Sequence, residues 1–133
     1  MKQLFNCMIQ GTISDVIVSG YIDAETPPVF HPMYERVYFI VNDNIFELYI
    51  DDGVVRHNSL KNINQWFDVD GDDKFSLMSI YSQLFKTEQE IQITQIDYKA
   101  VSFSTIKINY KDGGNERQLF LDPNNFFGFT YYS

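Results

Sequence analysis

Hydrophobic positions along this chain alternate with polar ones more often than they recur at every third or fourth residue. Residues 36–58 carry the clearest case, where "RVYFIV", "NDN", "IFELYI", "DDG" and "VVRH" follow one another. Period-two runs separated by turn-forming residues predict three short strands joined as an antiparallel meander. Val37, Phe39 and Val41 fall on one face. Phe46, Leu48 and Ile50 also share one, and Glu47 turns the other way. That pattern places one face in a core and the other in solvent.

Other segments extend the picture. Leu4 to Gln10 aligns Phe5, Cys7 and Ile9 and is expected as a strand, with "SDVIVSGYID" as the next. Three prolines in "ETPPVFHP" predict an extended loop. The period then changes. Leu60, Ile63 and Phe67 recur at near-helical spacing behind a Ser59 cap, and Leu77, Met78, Tyr81, Leu84 and Phe85 form a helical stripe. A buried strand is the alternative for the second run, because Phe75 and Ile80 fill the gaps in the stripe.

Strands return in "EIQITQIDYK" and "VSFSTIKINYK". In both, the apolar phase slips by one residue, from Ile93 to Ile96 and from Phe103 to Ile106. A slip of that kind predicts a bulge or a change of core face. "KDGGNE" turns the chain into "RQLFLD", and "FFGFTYYS" is expected as a last strand. The expected fold is α+β and strand-rich: a curved antiparallel sheet, as a half-barrel or sandwich, with one or two short helices around 60–86. At 133 residues, a single domain spanning 1–133 is the simplest organisation.

Composition sharpens this. Twelve Phe and nine Tyr suit pleated sheets and contact surfaces. Cys7 is the only cysteine, so no internal disulfide forms, which fits a reducing compartment. "MKQLFNCMIQG" is too short and too polar for a secretory signal, and no apolar run is long enough for a membrane span. The expectation is a cytoplasmic protein with no membrane association.

The net charge is −8, and the whole excess lies in residues 1–73, which hold twelve acidic and four basic side chains. Such a field repels nucleic acid and attracts basic partners. Strand aromatics stack bases in RNA-binding sheets, but those modules set basic residues beside the rings. No nucleic-acid partner is expected.

Candidate chemistry is sparse. "DVDGDD" places four carboxylates in residues 68–73. Numbered as an EF-hand from Asp68, it puts Asp73 in the glycine slot and Ser79 where a bidentate glutamate belongs, so it does not read as a calcium loop. Asp72 or Asp73 is expected to cap a helix beginning near Lys74. Asp68 and Asp70 are left for an acidic contact surface or for idle exposure. His31 and His57 lack zinc spacing, and His57 near Ser59 has no glycine-framed serine. Cys7 sits among apolar neighbours as an inert thiol. No phosphate loop is present, and neither enzyme activity nor a cofactor or metal is expected. The C-terminal rings Phe126, Phe127, Phe129, Tyr131 and Tyr132 read as a core strand with one wet face, or as a contact patch. "PPVFHPMYERVY", with Tyr34, reads equally as connector or binding loop.

With "NDNIFELYIDDG" and "DVDGDD" as its acidic, asparagine-rich carriers, the chain resembles bacterial immunity proteins of the contact-dependent growth inhibition type. The resemblance implies a non-catalytic inhibitor, monomeric or weakly dimeric, that blocks a cognate basic toxin domain, such as a nuclease. The residues expected at that surface are Asp51, Asp52, Asp68, Asp70, Tyr34 and Tyr49. A β-barrel-like binding protein for a small apolar ligand is the alternative expectation.

Overall fold

The computed structural model describes residues 2–125 and 127–133. The chain opens with α1 (Lys2–Gln10) and the long strand β1 (Ile13–Ile22), followed by β2 (Phe30–Pro32), β3 (Arg36–Val41), β4 (Asn44–Asp51), β5 (Val54–Leu60) and β6 (Lys74–Ser79). A five-residue helix α2 (Tyr81–Phe85) leads to β7 (Gln92–Asp97), β8 (Ile106–Asp112), β9 (Asn115–Asn125) and β10 (Gly128–Tyr132). The architecture is a strand-rich α+β fold of two antiparallel sheets, neither closed into a barrel.

β1 organises the six-stranded sheet. Its first half pairs with β3, from Ile13 opposite Val41 to Ile17 opposite Tyr38. Its second half pairs with β2 on that same side, and β6 runs along the opposite side from Ile17 to Ile22. β2 and β3 therefore lie end to end along one flank, bridged where the Met33 amide donates to the Ser19 carbonyl. β4 and β5 complete the meander that the alternation predicts. The second sheet runs β10-β9-β8-β7.

One apolar cluster unites both sheets. Val16, Val37, Phe39 and Leu48 from the first meet Ile93, Ile106, Ile108 and Leu119 from the second. Tyrosines tie the layers polar end to backbone. The Tyr110 hydroxyl donates to the Phe85 carbonyl at 2.9 Å, and Tyr98 to the Val55 carbonyl at 2.7 Å. A buried ring contributes its apolar area only if its hydroxyl finds a partner, and these do. At the seam the Phe129 amide donates to the Tyr34 carbonyl. Gly128 there has a φ of 111°, and a Cβ on it would lie 2.2 Å from the Tyr34 backbone.

Several local expectations are corrected. Leu4–Gln10 is helical, because Leu4 and Met8, spaced i and i+4, are the residues buried; Ile9 faces out. Good helix formers dominate there, and the alternation of Phe5, Cys7 and Ile9 was incidental. The expected Ser59-capped helix is absent: β5 runs to Leu60, and residues 61–73 form a loop. The expected helix from Lys74 is instead β6 followed by α2. Helical burial begins only at Ile80, with Tyr81, Leu84 and Phe85, while Lys74–Ser79 is taken by the free flank of β1. Distant strand pairing overrides local period in such cases. Asp72 and Asp73 therefore cap no helix. They end a turn closed by the Asp73 amide on the Asp70 carbonyl.

The first phase slip is a bulge between Ile93 and Gln95. The second is a strand start: β8 begins at Ile106, and Val101 and Phe103 stand exposed in the preceding loop. β10 confirms a terminal strand with Phe129 buried; Phe126 lies outside the described residues. No helix among the described residues is long and apolar enough to cross a membrane.

Candidate functional site

Directly opposed residues of an antiparallel pair share a face. Tyr38 opposes Glu47, Glu47 opposes Asn58, and Ser19 opposes Leu77, all on the face of the six-stranded sheet away from the core. Alternation predicts that this outer face is wet. Yet Ser19 is fully buried, Tyr38 nearly so, and Glu47 only 4% exposed. The cause is the 61–73 loop, which lays Trp66 on the face. The Trp66 Nε1–H donates to Ser19 Oγ at 2.7 Å.

Beside the indole lies a part-buried polar network. Arg36 Nη1 donates to Glu47 Oε2 at 3.2 Å, and Asn58 Nδ2 to Oε1 at 3.2 Å. The Arg36 guanidinium lies 4.6 Å from the Trp66 ring centre and 5.7 Å from that of Tyr49. Burial, then the neighbouring Glu47 carboxylate, pushes the Tyr38 phenol up to about 12. Both Glu47 oxygens hold partners, so this carboxylate is arranged to hold a cation and an amide in place. Cation–π stacking then ties the loop to the strand beneath it.

Aromatic side chains continue the face toward the far end of β1. Phe75, Tyr21 and His31 stand opposite one another across β6, β1 and β2. Tyr21 and His31 stack at 4.7 Å; Phe67 meets Phe75 at 5.7 Å and Trp66 at 4.9 Å. His31 Nε2 is 2.7 Å from Asp23 Oδ2. That bond, helped by the Val29 amide, holds the Asp23 carboxyl below its usual range. His57 pairs with Leu48 on the core side instead, where burial pulls its imidazole down.

Asp15 and Asp43 lie toward one end of this sheet, and most other carboxylates of residues 1–73 gather at the opposite end. β1 ends, β6 begins, β4 ends and β5 begins there, as their antiparallel registers require. Asp68 adjoins Trp66 and Phe67 in a shallow hollow, and Asp70 heads the turn before β6. Asp72 and Asp73 share an open cleft with Asp23 and Glu25. Asp51 lies on the outer face, paired with Arg56 at 2.9 Å, and Asp52 occupies the β4–β5 turn with a φ of 50°. Tyr49 belongs to the face through Arg36. Tyr34 stands apart at the seam between sheets, packed against the core, where burial and Tyr131 raise its phenol to about 12.

The sequence reading missed Arg36, Glu47, Trp66, Tyr21, Phe75 and Asp23. The available signal was the chain's one tryptophan, four residues ahead of the Asp70 turn. No cluster of three or more metal-ligating side chains occurs among the described residues. No family model, no curated protein and no solved structure matches this chain.

Proposed function

We propose that this chain is an inhibitor of the immunity type, which binds a basic toxin domain and blocks it through the outer face of the six-stranded sheet. One observation carries the reading. A strip of aromatic rings, Trp66, Phe67, Phe75 and Tyr21, ends among Asp23, Glu25, Asp68, Asp70, Asp72 and Asp73. Rings supply desolvated anchors, and a surrounding field of one sign supplies steering and register. A domain that holds phosphates is cationic, so the same acidic rim covers its working surface.

Small apolar ligands find less support. The space between the sheets is filled by the shared core. The cleft of about 680 Å³ on the second sheet is open and lined by Lys86, Thr94, Asn109, Glu116 and Arg117.

Co-expression with a basic toxin domain, sought first among the neighbouring genes, tests the proposal. Wild-type chain is expected to restore growth, and the combined Asp68→Lys and Asp70→Lys variant to restore it less well. Absence of rescue together with absence of binding by the purified proteins would overturn it.

A further inference from the structure

β6 pairs only with β1, so its other side is a sheet edge. The Ile80 amide donates to Val16, which fixes the phase: residues 74, 76 and 78 turn their backbone groups toward β1, and Phe75, Leu77 and Ser79 turn theirs outward. No backbone hydrogen bond to those outward groups occurs among the described residues. Leu77 is 43% exposed.

Natural edges are blunted by bulges, inserted prolines, covering elements or short length. Among the described residues, the other four edge strands use such devices. β2 is only three residues long and ends in Pro32. The Tyr98 hydroxyl occupies a β5 carbonyl. β7 carries the Ile93/Gln95 bulge and α1 packs on it. β10 is short, and its Phe129 amide is spent on Tyr34. β6 has an unbroken register of six residue pairs with neither bulge nor proline, and its single charged side chain, Lys74, stands at its first position.

Charge identifies the occupant. β6 leaves the Asp68–Asp73 turn and ends beside an open cleft lined by Asp15, Ser79, Glu88 and Glu90. An extended strand laid along β6 meets carboxylates at both ends and apolar surface, Phe75 and Leu77, between them.

The geometry points to strand addition at β6: a basic partner inserts an extended segment, cationic at both ends and β-prone between, as a seventh strand of this sheet. This rests on the proposed binding of a basic protein and specifies how the partner docks. Main-chain hydrogen bonds give such docking its affinity and alternate side chains its specificity.

The probe is a synthetic peptide with paired lysines at each end and alternating valine and threonine between them. The control carries a central proline and cannot complete a ladder. Amide exchange at Phe75 and Leu77 of the intact chain is expected to slow by roughly tenfold or more with the probe, and not with the control. Leu77→Pro removes an amide that the fold does not use, and it is expected to weaken probe binding by roughly tenfold or more, with Leu77→Thr retaining it. Equal binding of probe and control, or bound probe with unchanged exchange at both amides, would overturn strand addition and leave the acidic-surface proposal standing. Slowing that grows with protein concentration, without probe, would assign the edge to a second copy and overturn the basic occupant. Failure of any basic domain to bind would remove both proposals. The exchange measurement on unsubstituted chain holds even if the proline variant does not fold.

Discussion

Glu47 shows what a single position reveals at each stage. Alternation correctly turns it away from Leu48 and Phe46. Its burial depends on Trp66, nineteen positions later in the chain, settling over Ser19. No local pattern encodes that landing, so the side chain read as solvated. Glu47→Ala leaves Arg36 and Asn58 without their acceptor. It is expected to cost about 1 kcal/mol, read from the urea midpoint, because the Arg36 and Asn58 side chains keep access to water and recover part of the lost hydrogen bonding there. The phenols of Tyr34 and Tyr38 offer a second test. Both titrate at about 12 when folded, against an ordinary 10.0. A raised folded value favours the folded state fully below pH 10.0, and that advantage is lost as pH climbs toward 12. Stability is therefore expected to fall across that window, and the Tyr34→Phe and Tyr38→Phe variants to fall less steeply. Ultraviolet titration of the phenolates beside alkaline unfolding curves checks both.

At the scale of elements, the meander was legible because β3, β4 and β5 are joined by short turns and pair with their sequence neighbours. "NDN" and "DDG" supply the positive-φ positions Asn42, Asp43, Asp52 and Gly53 that such turns need. β6 was illegible for the opposite reason: its partner β1 lies more than fifty residues earlier, and its composition also suits a helix. The seam between sheets depends on one glycine. Gly128→Ala puts a methyl group into the Tyr34 backbone at an unfavourable φ, and is expected to cost about 3 kcal/mol in thermal or urea unfolding. The 61–73 loop hangs on Trp66. Trp66→Ala is expected to raise tryptic cleavage at Lys61 and Lys74 by roughly tenfold, since the loop loses its ring and hydrogen-bond anchors. Trp66→Phe, which keeps a ring and loses only the bond to Ser19, is expected to fall between.

Across the whole molecule, topology gathers most of the charge imbalance of residues 1–73 at one place, with Asp15 and Asp43 toward the other end. β1, β4 and β6 bring Asp23, Asp51 and the 68–73 turn to the same end of one sheet, although the sequence separates them widely. Sequence counting gave the sign of the field, and strand direction gave its place. Four of the six residues expected at the partner surface, Asp51, Asp68, Asp70 and Tyr49, lie on or beside the outer face. Asp52 sits at its rim, and Tyr34 serves the seam. Stopped-flow association of this chain with a purified basic toxin domain, the proposed partner, tests the central claim most directly. The rate is expected to fall by roughly tenfold or more between about 50 and 500 mM salt, and to fall comparably at low salt when Asp68→Lys and Asp70→Lys are combined. An association rate indifferent to both salt and charge reversal would contradict the account.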